Sequence, residues 1–429
     1  MSLATPRKIQ ELQSKLYSKA KQEPNYRFYS LYDKIYRADI LAHAYALVKA
    51  NHGAPGVDEQ SFEEIECGGR AEWLQSLQEV LCNRTYQPQP VRRVMIPKPN
   101  GDLRPLGIPT IRDRVAQTAV KLLLDPIFEA DLEPNAYAYR SGRSPQQAVQ
   151  AVHDLLVEGY TDVVDADLSK FFDTIPHSEL LQSVARRIAD GGVLHLLKMW
   201  LKSPVQERDE QGNRTLTGGQ SKGTPQGGVI SPVLANLYMN RFLKHWRRQG
   251  KGEQYRACIV NYADDFVILS RGKAAEARAW TQAVLARIGL TLNEQKTCIR
   301  DARRESFDFL GYSFGPRYWW KTRKWYMGAW PSKKAIQKLK NGVYELLRPC
   351  EIRGWEEVRQ DLNAKLRGWQ AYFSYGSLAK AYRIVDCYVY NCVRQFLRRR
   401  HKATNSRGTR QFSAAVVSGQ LGVRRLQTT

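Results

Sequence analysis

The sequence predicts an α+β fold, in which a small antiparallel sheet is backed by helices and a helical region follows. The first observation is a strand–turn–strand pattern at 258–269, where apolar residues flank an acidic turn. The second is the order of elements over 160–315, which runs strand, helices, hairpin, helix and strand. The third is that strand signals fade after Pro331, where basic amphipathic helices begin.

The segment 90–110 is the clearest local hairpin. Two strands with apolar residues flank Pro99-Asn100-Gly101-Asp102, and Asn-Gly is the strongest short-range signal for a hairpin turn. The basic residues around this turn predict a positively charged flap; they are Arg92, Arg93, Lys98 and Arg104. Basic side chains on an exposed ribbon could equally serve to discourage edge-to-edge pairing.

Capping signals locate several of the helices. Residues 1–50 are helical and basic in pattern, Thr110 begins a helix that reaches about Phe128, and Ser144-Pro145 with Gln147 begins one that stops at Gly159. Further helices are predicted at 72–81, 178–189, 193–202, from Ser231, before Gly289, and at 333–347, 355–373 and 380–400.

The charge of the chain indicates a polyanionic partner. Its 429 residues carry a formal net charge of +24, and the pI is about 9.7. Nucleic acid is the usual polyanion for such a protein. A membrane surface is the competing one, but the mean hydropathy is −0.51 and no run of eighteen apolar residues is present. We therefore expect nucleic acid and no membrane.

The positive charge is concentrated near the C-terminus. Residues 331–429 hold 20 Lys and Arg against 6 Asp and Glu, a net charge of +14. Aromatic residues interleave with this charge, and a helical bundle with an aromatic core would explain them alone. The charge asymmetry in addition favours a helical module that binds a phosphate backbone.

Cysteine usage indicates a reducing compartment. The seven cysteines are an odd number without paired CxxC motifs, which predicts reduced thiols in a cytosolic protein. Cys387 and Cys392 are expected to pack on a helix instead of binding zinc. The N-terminus lacks an apolar stretch of signal-peptide length.

The acidic turn is Tyr262-Ala263-Asp264-Asp265. Asp-Asp is unfavourable in a two-residue hairpin, which prefers Asn-Gly or Asp-Gly, and adjacent like charges repel. A solvated acidic turn is one interpretation. A divalent metal ion that neutralises both carboxylates is the other.

Two more carboxylates precede this turn in the sequence. Asp165 and Asp167 alternate on a predicted strand, so both side chains lie on one face. One strand-end carboxylate together with Asp264 and Asp265 gives the set that two-metal phosphoryl transfer requires. Oxygen ligands of this kind fit two Mg²⁺ ions, and Mn²⁺ is possible.

Ten short motifs follow one another along the chain: 53–58 (GAPGVD), 96–99 (IPKP), 104–110 (RPLGIPT), 139–143 (YRSGR), 167–173 (DLSKFFD), 223–232 (GTPQGGVISP), 262–265 (YADD), 289–297 (GLTLNEQKT), 307–312 (FDFLGY) and 368–373 (GWQAYF). In this order they resemble the motifs of a reverse transcriptase, and more closely those of the bacterial group II intron-encoded reverse transcriptase/maturase family. The match covers nearly the whole chain.

The resemblance implies a right-hand polymerase with fingers and palm, followed by an α-helical thumb called domain X. It implies a mostly helical N-terminal extension over 1–85, fingers and palm over 86–329, and the thumb over 330–403. Residues 404–429 would form a basic C-terminal tail without an HNH endonuclease, and the sequence over 401–429 looks loosely structured. If the chain is a mobile-intron protein, we therefore expect it to find its DNA target without cutting the second strand itself.

The resemblance also assigns the metal ligands. Asp167, Asp264 and Asp265 match the three catalytic aspartates, and Leu168 would offer a backbone carbonyl. Asp165 and Asp173 match no catalytic position and are interpreted as structural.

Other positions match residues that handle the nucleotide. Lys98 and Arg104 match a triphosphate clamp, Phe172 a steric gate that excludes a 2′-hydroxyl, and Gln226 a nucleotide contact. Phe171 is expected to be core. Lys296 matches a lysine that protonates pyrophosphate, although it could be an ordinary surface lysine. The primer grip would comprise Phe309, Leu310, Gly311 and Tyr312.

The implied function is an RNA-directed DNA polymerase of a group II intron, with intron RNA, a DNA target or primer, and dNTPs as partners. It would assist splicing and mobility by target-primed reverse transcription in the bacterial cytosol or nucleoid. Two alternatives stay open: a host-domesticated reverse transcriptase in defence or repair, and a catalytically silent RNA-binding splicing factor. The three aspartates argue against the second, because a pure binder does not need them. The sequence does not predict the oligomeric state.

Overall fold

The computed structural model describes residues 3–97, 103–208, 214–219, 221–225, 227–319, 321–403 and 411–427. The strands are β1 Val91–Pro97, β2 Leu103–Ile108, β3 Asp162–Asp167, β4 Val205–Arg208, β5 Arg214–Thr217, β6 Ala257–Tyr262, β7 Asp265–Ser270, β8 Cys298–Asp301, β9 Phe307–Phe309, β10 Tyr312–Trp319 and β11 Lys324–Pro331. The helices that precede β6 are α1 Arg7–Gln22, α2 Tyr32–Ile35, α3 Ala38–Ala50, α4 Phe62–Cys67, α5 Arg70–Cys82, α6 Ile111–Glu129, α7 Pro145–Val157, α8 Phe171–Thr174, α9 His177–Ala185, α10 Gly191–Leu201, α11 Ser231–Arg248 and α12 Lys251–Gln254. The later helices are α13 Ala274–Arg287, α14 Lys333–Leu346, α15 Trp355–Tyr372 and α16 Ala379–Arg400.

The central sheet has the strand order β6-β7-β3-β8, and all of its pairs are antiparallel. Helices cover both faces of the sheet, so successive apolar residues of a strand pack into two different cores. Val164 faces a large core formed with the N-terminal helices, α6 and α11, whereas Val163 faces a second core that includes α7 and β9–β11. This arrangement confirms the predicted α+β class with a small antiparallel sheet backed by helices.

The fingers sheet has the strand order β2-β1-β4-β5. β1 and β2 form the predicted hairpin, whose tip at 98–102 lies outside the described residues. β4 and β5 were not predicted, and β4 pairs in parallel with β1 at Val91 and Val205. The sheet is therefore not purely antiparallel.

A third sheet, with the order β11-β10-β9, connects the palm to the thumb. β10 and β11 form a hairpin with eight paired positions, whereas β9 pairs with only the first three residues of β10. The outer half of this hairpin therefore extends beyond β9 and is only two strands wide.

The predicted helices are present, and the local signals explain their starts. Ser144 forms a complete capping box with Gln147, and Thr110 accepts from the N–H of Asp113. The helix expected over 178–189 ends at Ala185 instead. The reason is that Phe28 donates its N–H to the carbonyl of Arg187 and accepts from the N–H of Ala189.

The thumb is a bundle of α14, α15 and α16 with its own core. The expectation that the chain after 404 is loosely structured was wrong for the part that the structure describes. A π-helical turn at Val416–Gln420 and the segment after it pack on the bundle. The buried side chains over 411–427 are Phe412, Val417, Val423 and Leu426.

Within the described ranges, no helix is long and apolar enough to cross a membrane. All seven cysteines are free thiols, including Cys387 and Cys392 on α16. Cys392 packs against the thumb core and interacts with Tyr388.

Candidate active site

The acidic turn is a two-residue hairpin loop between β6 and β7, with Tyr262 paired to Asp265. Ala263 takes the left-handed conformation, with φ of 59°, which an L residue adopts at a cost. Asn261 is buried on β6, and its Nδ2 donates to the carbonyl of Ala263 at 2.9 Å. This hydrogen bond stabilises a turn whose residues are poor turn formers, and so fixes the backbone of Asp264.

The predicted carboxylates meet at one end of the central sheet. Asp167 is the last residue of β3 and lies directly opposite Asp265 in the antiparallel register. The N–H of Leu168 points to the carbonyl of Asp264 at 3.4 Å. Residues separated by about 97 positions in sequence are thereby neighbours.

Burial and mutual repulsion make this cluster electrostatically unfavourable without a cation. Burial, followed by the charges of Asp165, Asp264 and Asp167, raises the pKa of Asp265 to about 7. Burial likewise raises the pKa of Asp165 to about 6, and that of Asp264 in the same direction. Asp165 was interpreted as structural from the sequence, but its charge acts on the same site.

Lys296 and Asn293 both contact Asp167. The Nζ atom of Lys296 lies 2.9 Å from Oδ2 of Asp167. Asn293 donates its N–H to the Asp167 carbonyl at 2.8 Å, and its Nδ2 lies 3.4 Å from the same Oδ2. Asn293 was not singled out from the sequence, although it lies in the motif 289–297, because an uncharged residue gives no chemical signal of a role at the site.

The donor set fits a hard divalent cation, although it is not a closed protein cage. Among the described residues, no group of three or more His, Cys, Asp or Glu is arranged to hold a metal ion by itself. Mg²⁺ in phosphoryl-transfer sites takes one or two carboxylates and completes its shell with water and substrate phosphates. The pairing of Asp167 with Asp265, with Asp264 in the adjoining turn, agrees with that pattern. The ammonium of Lys296, which pairs with Asp167, shows that these carboxylates attract positive charge.

Phe172 lies beside the glycine-rich loop at 223–228. Its carbonyl accepts from the N–H of Thr224 at 2.7 Å, and its ring is buried, as is that of Phe171. His177 also contacts this loop, since its Nε2 lies 2.6 Å from the carbonyl of Gly223. His177 was missed, because one histidine at a helix start carries no motif.

The same loop also touches the fingers. Gly227 has φ of 107°, and a Cβ there would lie 2.3 Å from the carbonyl of Gly107 on β2, so only glycine permits this approach. Arg104 is exposed on the same strand, and its charge acts to lower the pKa of Asp264. Lys98 and Gln226, the other predicted nucleotide contacts, lie outside the described residues.

The predicted primer grip is the turn between β9 and β10. Phe309 pairs with Tyr312, and Leu310 and Gly311 between them both have positive φ, of 49° and 78°, as a type I′ turn requires. The hydroxyl of Tyr372 on the thumb donates to the carbonyl of Leu310 at 3.0 Å. The hydroxyl of Tyr312 donates to the carbonyl of Tyr372, also at 3.0 Å.

Comparison with known proteins identifies the class. The family model described as reverse transcriptase (RNA-dependent DNA polymerase) matches residues 96–314. The model described as group II intron, maturase-specific domain matches residues 336–412. The chain belongs to the reverse transcriptase family, within the group that carries a group II intron maturase domain. It is therefore an RNA-directed DNA polymerase with fingers, palm and a helical thumb.

Individual relatives agree with this assignment. The chain is 34% identical to Protein YkfC of Escherichia coli K12 over 71% of its own length and 87% of that protein. It is 26% identical to the group II intron-encoded protein LtrA of Lactococcus lactis, over 78% of this chain and 62% of LtrA. It is 27% identical to the putative COX1/OXI3 intron 1 protein of Saccharomyces cerevisiae, over 64% and 38%. The chain thus spans less than two thirds of the length of LtrA and of the yeast intron protein.

Proposed function

We propose that this protein copies group II intron RNA into DNA by two-metal phosphoryl transfer and binds that RNA to assist its splicing. The observation that carries the proposal is the direct pairing of Asp167 with Asp265, with Asp264 in the adjoining turn. A splicing factor without catalysis has no use for three carboxylates at one half-buried end of a sheet, where their mutual repulsion costs stability.

Asp167, Asp264 and Asp265, with the backbone carbonyl of Leu168, are the proposed ligands. Mg²⁺ is the proposed ion, with Mn²⁺ as a substitute. Two such ions would lower the pKa of the primer hydroxyl and stabilise charge on the leaving pyrophosphate. The chain's own contribution is position: the strand register fixes Asp167 against Asp265, and Asn261 fixes the turn. Lys296, already paired with Asp167, is the proposed proton donor to pyrophosphate.

The proposed substrate is a dNTP held between fingers and palm. Arg104, with Lys98, would bind its triphosphate, because guanidinium and ammonium groups pair with phosphate oxygens. Phe172 would exclude a 2′-hydroxyl, and Gln226 would contact the nucleotide. The close approach of Gly227 to Gly107 supports this assignment, since it joins the glutamine-bearing loop to the strand that carries Arg104.

The proposed primer is a strand of target DNA, held at the turn formed by Phe309, Leu310, Gly311 and Tyr312. The proposed template is the intron RNA, which the basic thumb would also bind during splicing. The match of 336–412 to the maturase-specific domain supports that role. We place this activity in the bacterial cytosol or nucleoid, where DNA and intron RNA meet.

Primer extension tests the proposal. Purified protein is given an RNA template, a DNA primer, dNTPs and Mg²⁺, beside the Asp264→Ala variant. We expect synthesis by the wild type and none by the variant, with RNA affinity largely retained. Full synthesis by Asp264→Ala would refute the metal site. Absence of synthesis by both proteins would favour the RNA-binding splicing factor, and intron splicing would then be assayed.

A further inference from the structure

The hairpin of β10 and β11, residues 312–331, is anchored firmly at its base; we call it the aromatic ribbon. His153 on α7 contacts the carbonyl of Met327 through Nε2 at 3.0 Å. Ser377 donates its N–H to the carbonyl of Ala329 at 2.7 Å, and its hydroxyl lies 3.0 Å from that of Tyr326. The ribbon is thus fixed to both palm and thumb.

The outer half of the ribbon exposes large aromatic rings. Trp325 is 70% exposed, Tyr318 is 51% exposed and Trp319 is 48% exposed. Tyr318 and Trp325 are cross-strand partners with ring centroids 5.4 Å apart. Their contact is an ordinary stabilising pair, but it leaves most of the Trp325 ring in solvent. Packing of the ribbon therefore does not explain why these residues are aromatic.

Rings also line the opposite face of the ribbon. Trp319 and Tyr326 lie with centroids 6.3 Å apart, and the guanidinium of Arg317 covers the ring of Trp330 at 4.2 Å. Alternate residues of a strand point to opposite sides, so both faces present aromatic surface.

The charge around these rings has one sign. From 309 to 344 the sequence contains eight Lys and Arg residues and not one Asp or Glu. Four of the eight belong to the ribbon itself: Arg317, Lys321, Arg323 and Lys324. Apolar rings alone would suit a protein partner, but this field favours a polyanion.

We propose that the aromatic ribbon is a binding site for single-stranded RNA, separate from the catalytic centre, in which unpaired bases stack on Tyr318, Trp319 and Trp325. Stacking rings beside basic side chains are the usual means of binding single strands without sequence preference. β10 runs about 24 Å from Tyr312 to Trp319 at roughly 3.4 Å per residue, so these rings lie at the opposite end of the ribbon from the primer-grip turn.

RNA is the proposed ligand because folded RNA presents unpaired bases in loops and bulges, whereas duplex DNA does not. The ribbon also leads directly into α14, where the match to the maturase-specific domain begins at 336. The inference rests on the proposed binding of RNA, but not on DNA synthesis.

The test is fluorescence anisotropy of the full chain with a labelled, unstructured 20-nucleotide RNA, without Mg²⁺ or dNTPs. The variants are Trp325→Ala, Trp325→Phe, Lys324→Gln and Tyr29→Ala. Tyr29 is the matched control, because it is also 70% exposed and precedes α2. The same series is measured with an RNA duplex and with DNA of the same sequence.

We expect Trp325→Ala to weaken binding of single-stranded RNA about tenfold, since stacking on one base is worth that much. Trp325→Phe should restore most of the affinity, and Tyr29→Ala should leave it unchanged. Trp325→Ala should keep the salt dependence, whereas Lys324→Gln should lower the slope of log affinity against log salt by about one.

Equal losses for duplex and single strand would overturn base stacking, and a loss confined to DNA would overturn RNA as the ligand. Unchanged affinity in Trp325→Ala would overturn the site. Failure of the wild type in primer extension, together with binding that depends on Trp325, would refute the polymerase proposal and leave this one standing.

Discussion

Lys296 and Asp167, 129 residues apart in sequence, are joined by an ion pair of 2.9 Å between Nζ and Oδ2. Asp167 thereby contacts both Asp265 on β7 and the segment at 293–296 that precedes β8. An ion pair with a side chain that is 66% exposed contributes little stability by itself. The contact therefore matters chiefly for where it holds the ammonium, beside the carboxylates that would surround the reacting phosphates.

The first prediction separates proton donation by Lys296 from simple ion pairing. Lys296→Met should lower the single-turnover rate of nucleotide addition about 10²-fold, the usual contribution of a positioned acid. Lys296→Arg keeps a positive charge but cannot release a proton near neutral pH. We expect it to be nearly as slow as the Met variant in rapid-quench measurements. Rescue by Arg would show that charge alone is needed.

The second prediction concerns the primer-grip turn. A Cβ on Gly311 would meet the ring of Phe373 at 3.3 Å, whereas a Cβ on Gly272 would meet nothing within 4 Å. The two glycines have similar φ, of 78° and 83°. Each Ala variant should lose about 1 kcal/mol from the left-handed backbone, measured by urea unfolding.

Only Gly311→Ala should also shorten the DNA products made in one binding event, because it alone disturbs the contact between turn and thumb. The matched Gly272→Ala variant reports the backbone cost. Identical product lengths from the two variants would contradict the assignment of the turn to the primer.

The third prediction is a pH dependence of stability from His177. Burial, and to a smaller extent Lys202, lowers the pKa of this imidazole in the folded protein, while the Gly223 carbonyl opposes the shift. The unfolded chain titrates near pH 6.5. As pH falls through 6.5 the unfolded state therefore takes up the proton first, and stability is lost.

His177→Gln should retain a donor toward Gly223 but remove this titration. The decline in the free energy of unfolding between pH 7 and pH 5 should be smaller in the variant than in the wild type. A decline of equal size would show that His177 is not buried in its neutral form.

The fourth prediction is a steep salt dependence of RNA binding. The thumb and ribbon act through phosphate contacts, so affinity should fall about 10³-fold between 50 and 200 mM salt if roughly six phosphates are bound. A titration with a neutral osmolyte in place of salt is the control. Affinity that is insensitive to salt would contradict binding through the basic helices.

Local patterns predicted the elements that carry the chemistry. The apolar runs on both sides of Asp264 and Asp265 predicted β6 and β7, and alternation placed Asp165 and Asp167 on one face. What the sequence could not predict was the register, which set Asp167 opposite Asp265, since pairing depends on packing across two cores.

Features that depend on long-range contacts were missed. The parallel pairing of Val91 with Val205 joins segments with no shared pattern. The burial of Phe412 and Leu426 was hidden because isolated apolar residues in a basic segment show no periodicity. The role of Asn261 could not be predicted either, because an amide that corrects turn geometry is indistinguishable in sequence from any other asparagine.

The hydroxyls of Tyr312 and Tyr372 bond the end of α15 to the primer-grip turn. This end of the thumb helix cannot swing away from the palm without breaking both bonds. The position of the thumb's base relative to the primer-grip turn is therefore set by the protein's own hydrogen bonds and not by a bound nucleic acid. Any opening of the thumb that leaves these bonds intact has to take place farther from this end of α15.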